Sequence, residues 1–202
     1  LSAEDDTVSV VYEGVTYKNE RQKIQISVEK KDSVSKEALE GVVFGLYAGE
    51  DIKNMQGKVV VEKDTLLETK ATDPEGKLTF DSDLWHGHYY VKEEQHLPGY
   101  LPNDEIWEID ATYEDQNLPA IFLEKEVENQ PTESYFTKTD IVTGEPVEGA
   151  KLQILDEEGT VVREWITTKE EHLEYALLAG NYILHEELPP LEDGYVSAED
   201  VS

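Results

Sequence analysis

The chain has no cysteine among its 202 residues, so no disulfide staples it and no thiol chemistry is available to it. Positive charge is scarce: 17 basic side chains stand against 46 acidic ones, a formal charge of −29. A surface of that sign repels nucleic acid and anionic membranes, which both demand neutralising cations, and it keeps copies of the chain apart in solution. No apolar run is long enough to span a bilayer, so membrane insertion is not expected. The first residues, LSAEDDTVSV, lack the basic and apolar regions of an export signal. The chain is therefore expected to be a mature protein or an excised segment, with any signals outside it. Helical periodicity is also scarce.

What is present is β-type alternation. Short runs rich in Val, Ile, Tyr and Thr recur between Gly, Asp, Asn and Pro punctuation, which predicts an all-β sandwich. DPEG at 73–76 and DEEG at 156–159 read as hairpin turns, and EDIKNMQGK at 50–58 as a loop or a short helical turn. The chain also repeats itself. ISVEKKD (26–32) corresponds to YFTKTD (135–140), and EALEGVVFGLY (37–47) to EPVEGAKLQIL (145–155). In both copies a glycine follows the lysine by eleven residues, Lys30 to Gly41 and Lys138 to Gly149. GHYYVKEEQHLPGY (87–100) then matches GNYILHEELPPLEDGY (180–195). SAED occurs at 2–5 and again at 197–200. These correspondences predict a tail at 1–22 that resembles the closing hairpin of a preceding repeat. A complete domain is expected over about 23–131, and a second at 132–202 without its last strands.

Alternation also says where side chains point. In KIQISVEKKD, Ile24, Ile26, Val28 and Lys30 share a face, as do Phe136 and Lys138 in the copy. Tyr89, Val91 and Glu93 form an inward set, matched by Tyr182, Leu184 and Glu186. In the last strand Ile121, Leu123, Val127 and Asn129 share a face that Lys125 interrupts, by a bulge or a snorkelling side chain. One domain thus points a lysine, a glutamate and an asparagine at its core. Isolated buried charges cost several kcal/mol, so the groups pair or change protonation state. One outcome is a Lys–Glu ion pair with an Asn hydrogen bond. The other is a reaction. Desolvation lowers a lysine pKa and raises a carboxyl pKa, which makes a nucleophilic amine and a proton-donating acid accessible. Held in contact, they can join Lys30 to Asn129 in an isopeptide bond, with Glu93 as the proton shuttle.

These residues resemble the collagen-adhesin B-type (Cna-B, or SpaA-like) repeats of Gram-positive surface proteins and pilin shafts. The matching motifs are the strands ending EKKD and TKTD, the LEG and VEG turns, the Y-x-x-x-E-x-x-x-x-P-G-Y run, and the closing ENQP. The resemblance implies a β-sandwich of reversed immunoglobulin-like, or prealbumin-like, topology. It also implies a spontaneous bond between Lys30 and Asn129 assisted by Glu93, without cofactor, metal or catalytic turnover. In the second domain Lys138 and Glu186 hold the corresponding positions, and the expected Asn lies beyond Ser202. In the tail, Asn19 looks like an acceptor whose lysine is missing. Lys138 and Asn19 are therefore expected to be unpaired within their own domains. Two outcomes are open for the second domain: it is frayed or partly disordered where its last strands are missing, or hairpin 8–18 of one copy completes the Lys138 sheet of another, head to tail, among neighbouring repeats of the same protein. The function implied is a structural stalk of an adhesin or pilus, extracellular and attached to the cell wall.

Two competing classes are a module that binds a host protein or glycan, with Trp85, Trp107 or Trp165 as contacts, and a turnover enzyme. Single tryptophans in β domains are commonly core, and no nucleophile–base pair stands outside the trio. HGH at 86–88 with His96 matches no metal-ligand spacing, and solvated turns account for the acidic DPEG and DSD clusters.

Overall fold

The computed structural model describes residues 22–54, 56–112, 119–191 and 194–202. Among them are fourteen β-strands and no α-helix, as the alternation predicts. No helix long and apolar enough to cross a membrane occurs among the described residues.

Strand β1 (Lys23–Asp32) alternates so regularly that Ile24, Ile26, Val28, Lys30 and Asp32 are all buried. It lies between β6 (Lys77–Thr79), antiparallel, and β9 (Ala120–Asn129), parallel. A second sheet runs β5 (Leu66–Ala71), β2 (Val43–Ala48), β7 (Gly87–Gln95), β8 (Ile106–Ala111), all antiparallel. The core between the two sheets holds Ile26, Val28, Phe44, Leu46, Tyr89, Val91, Ile109 and Val127, each under a tenth exposed. Burial of that apolar face is what holds the sheets together. Trp85 and Trp107 pack against this core.

Two expectations need correcting. DPEG does turn, with Gly76 donating to the Asp73 carbonyl, yet it joins β5 to β6, which belong to different sheets. Gly76 is required there: its φ is 73°, and a Cβ would sit 2.5 Å from the Lys30 carbonyl oxygen. Segment 50–58 is neither plain loop nor helical turn, because β3 (Ile52–Lys53) pairs with β4 (Val59–Val61), Ile52 being anchored in the core.

The second strand group repeats this arrangement. β10 (Glu133–Phe136) pairs with β13 (His172–Tyr175) as β1 pairs with β6. β12 (Val161–Ile166), β11 (Lys151–Leu155) and β14 (Ile183–Leu188) reproduce the order β5-β2-β7, and DEEG is the β11–β12 hairpin turn. Even the bulges recur: the β2–β7 register shifts after Val43 and the β11–β14 register after Lys151. Among the described residues β10 has one strand neighbour where β1 has two, and no strand stands where β9 would lie. Its core is correspondingly smaller, built on Val147, Ala150, Leu152 and Ile154.

Candidate functional site

At the end of the first sandwich, Lys30 from β1, Glu93 from β7 and Asn129 from β9 converge. Alternation carries Lys30 inward, and its side chain is fully enclosed, 0% exposed. Its Nζ donates to Asn129 Oδ1 at 2.6 Å and lies 3.0 Å from Glu93 Oε2. Asn129 Nδ2 in turn donates to Glu93 Oε1 at 3.0 Å. Each of the three groups therefore touches the other two. The Phe44 ring, 5.6 Å from Nζ, lies next to the ammonium, and Phe44 is the cross-strand partner of Glu93.

Local backbone features place these groups. The β1–β9 register sets Lys30 opposite Val127 and Asp32 opposite Asn129, so the two side chains meet diagonally across parallel strands. On β7, Phe44 pairs with Glu93 and Val43 with Gln95, which leaves Glu94 as the extra residue of a bulge. Such a bulge re-aims the neighbouring side chain, here the inward carboxylate. Burial pushes the Lys30 amine below its ordinary value of 10.5, against the opposing pull of the Glu93 carboxylate. A buried amine with lowered pKa against an amide carbonyl, with a carboxylate bridging both, can be deprotonated and can attack.

In the second group Lys138 Nζ lies 3.2 Å from Glu186 Oε2, with Lys138 20% exposed. Glu186 Oε2 also accepts from Ala198 N at 2.5 Å. Its Oε1 is buried with no hydrogen-bond partner among the described residues, the counterpart of the atom that accepts Asn129 Nδ2 in the first group. Asn19 lies outside the described residues. Lys125 reaches out to pair with Glu105 while the β1–β9 register runs unbroken past it; it snorkels, and that ladder has no bulge.

Asp32 and Tyr100, to which alternation alone gives no role, meet beside these groups. The Tyr100 hydroxyl donates to Asp32 Oδ2 at 2.9 Å, and Asp32 Oδ1 accepts from Val34 N and Ser35 N at 2.7 and 2.8 Å. Asp140, the corresponding residue, accepts from Val142 N and Thr143 N, both at 2.8 Å, and from Tyr195. The signal was there, in K-x-D and G-Y occurring once in each repeat.

Comparison with known proteins gives a family match, "SpaA: Prealbumin-like fold domain", over residues 24–124 and 133–201. No curated protein matches. Among solved structures, the chain is similar to the Bacillus anthracis TIE protein at 24% identity and a TM-score of 0.53, over 88% of this chain and 31% of that one. It is also similar to a Streptococcal ancillary pilin, at 20% identity and a TM-score of 0.41, over 91% of this chain and 59% of that one. For the shaft pilin spaA from Lactobacillus rhamnosus GG the identity is 17% and the TM-score 0.38, over 89% and 91% of the two chains. The chain thus spans less than two thirds of the first two structures.

Proposed function

The chain belongs to the SpaA prealbumin-like fold domain family, and on that footing we propose that it is a shaft module of a Gram-positive surface protein or pilus, locked by a bond between Lys30 and Asn129. Its units are a complete domain over about 23–131 and a second over about 132–202. Its place is outside the cell, in a structure anchored to the wall, and its work is to bear load. The observation that carries the proposal is the fully enclosed Lys30 amine at 2.6 Å from the Asn129 amide oxygen, with Glu93 in contact with both.

The chemistry balances. Lys30 passes a proton to Glu93 and becomes a neutral amine. Its Nζ attacks Asn129 Cγ, a C–N bond forms, and the tetrahedral centre collapses by breaking the bond from Cγ to Nδ2. Glu93, already hydrogen-bonded to Nδ2, delivers the proton that lets this nitrogen leave. It departs as ammonia. Nζ, which still carries two hydrogens after its attack, gives up one of them through Glu93 to that ammonia, so ammonium is the final product, Glu93 is again a carboxylate, and one amide has replaced another. No outside reagent is consumed. Contact geometry supplies the effective concentration, and the water-poor site favours the neutral pair.

The expected result is that the denatured protein weighs one ammonia less than its sequence, with residues 30 and 129 in one branched peptide. The Glu93→Ala variant is expected at full mass. A wild type at full mass with both side chains free overturns the proposal.

For the second group we propose completion by a neighbouring repeat. Its support is that, among the described residues, β10 has no strand on its second side and Glu186 Oε1 has no hydrogen-bond partner. An extended segment laid parallel to β10 in the manner of β9 brings an Asn to Lys138, with Glu186 as its shuttle. Segment 8–18 of another copy, leading to Asn19, has the required alternation. Deleting residues 1–21 is expected to abolish head-to-tail oligomers. Unchanged oligomeric state and unchanged Lys138 reactivity would refute trans completion.

A further inference from the structure

We infer that Asp32 and Tyr100 are positioning residues for the Lys30–Asn129 reaction, a latch that ties together the three segments carrying the reacting groups; the inference rests on the crosslink proposed above. Asp32 lies two residues beyond Lys30 and directly opposite Asn129 in the β1–β9 register. Tyr100 lies on the loop that follows β7, seven residues beyond Glu93. Their side-chain hydrogen bond at 2.9 Å therefore connects the lysine strand to the loop that continues from the glutamate strand.

The asparagine strand is held by the same loop. Tyr100 forms a β-bridge with Pro131, which is fully buried, and Leu101 N donates to the Gln130 carbonyl at 2.9 Å. Asn103 Nδ2 donates to the Glu128 carbonyl at 2.9 Å, and Ser33 N to the Asn129 carbonyl at 2.9 Å. The backbone of Asn129 is thus pinned from both sides, by the turn after β1 and by the loop that bears Tyr100. Asp32 holds both pieces: one carboxylate oxygen closes the turn through Val34 N and Ser35 N, the other receives Tyr100.

The pair is built as a strong hydrogen bond. Burial opposes ionisation of Asp32, but the Ser35 and Val34 N–H groups and the Tyr100 hydroxyl outweigh it and hold the carboxyl below its ordinary value. Tyr100 is pushed up to about 12, first by burial and then by that carboxylate. It therefore stays a donor at any physiological pH, and a charge-assisted bond of this kind is about twice as strong as a neutral one. The repeat supplies an independent instance, because Asp140 and Tyr195 are joined in the same way beside Lys138. A contact that recurs at the same place beside both lysines is tied to the lysine site.

A displacement on the order of 1 Å in a reacting pair costs up to about a hundredfold in rate. The experiment times ammonia loss by mass spectrometry after pulse-labelled cell-free synthesis of the full chain. Tyr100→Phe is expected to slow it roughly ten- to hundredfold, while Tyr195→Phe, beside the other lysine, leaves the Lys30–Asn129 rate unchanged. Asp32→Asn, which keeps a hydrogen-bonding group facing the hydroxyl, is expected to react faster than Asp32→Ala. The double variant Asp32→Ala, Tyr100→Phe is expected to be no slower than the slower single one, since the two share one contact. In the unreactive Glu93→Ala background, Tyr100→Phe remains folded by urea titration, which separates mispositioning from unfolding. Wild-type rates in Tyr100→Phe, or equal rates in the two Asp32 variants, would overturn the latch while leaving the crosslink intact. A wild type that never loses ammonia overturns both.

Discussion

An ammonium with no exposed surface is stable only beside a counter-charge, and Lys30 has one in Glu93 at 3.0 Å. Removing that partner strands a buried cation, a change that costs about 3–5 kcal/mol. In an Asn129→Ala background, where no bond can form, Glu93→Ala is therefore expected to lower the unfolding free energy by about that amount in urea titration. The pH dependence has a definite sign. Lys30 is held below 10.5 by burial, so the folded state binds fewer protons at this site than the unfolded state does. Stability from this site accordingly rises with pH through the window between the lowered value and 10.5. The difference in unfolding free energy between Asn129→Ala and Lys30→Met, Asn129→Ala is expected to shift in favour of the lysine form as pH climbs from 7 towards 10.5. A flat difference would contradict a desolvated amine. Much of this site was legible, because a two-residue period puts Lys30, Glu93 and Asn129 on apolar faces without any knowledge of the fold. The bulge at Glu94 was not, since periodicity gives the face of a side chain but no register shift, and at Lys125 it left a bulge and a snorkelling side chain undecided. Nor was the contact from Tyr100 to Asp32, made across 68 positions of sequence.

Among the strands, β1 and β9 show how unequally burial is distributed along an alternating run. Ile26 is 0% exposed at the centre of the core, whereas Phe122 on β9 is 66% exposed. Ile26→Ala is expected to cost about 2–5 kcal/mol and Phe122→Ala less than about 0.5, measured by chemical denaturation of the non-crosslinked form. Strand existence could be read from the sequence for the long alternating runs of β1, β7 and β9 and for their copies β10 and β14, and partners could not. A period of two states which face is buried but not which strand lies alongside, so the parallel pairing of β1 with β9 and the crossing of DPEG between sheets emerge only in three dimensions. Segment 50–58 misleads for a related reason: the strand inside it, β3, is two residues long and its partner β4, just beyond it, is three, too short for alternation to register.

Over the whole molecule, the bond proposed between positions 30 and 129, which are in hydrogen-bond contact across 99 positions of sequence, would close a loop of that span. By chain-entropy reasoning that closure contributes roughly 4–5 kcal/mol. Its mechanical effect is larger. With the proposed bond in place, tension entering at Lys23 would run along β1 to Lys30, cross to Asn129 and leave, and the chain between them would carry no load. Under force applied at residues 22 and 132, wild type is expected to lengthen by only the few residues outside the loop. Asn129→Ala is expected to release about 300 Å more, from roughly 3.3–3.6 Å per freed residue. Single-molecule pulling reads this directly, and equal contour lengths for the two forms would exclude a covalent bypass.

Because β1 and β9 point the same way, the polypeptide departs from the pole opposite its arrival. Units of this kind joined in series advance along one axis instead of doubling back. Each contributes about the length of a ten-residue strand, some 30 Å. In the proposed shaft, reach would then be a matter of copy number, each added unit extending it by that fixed increment.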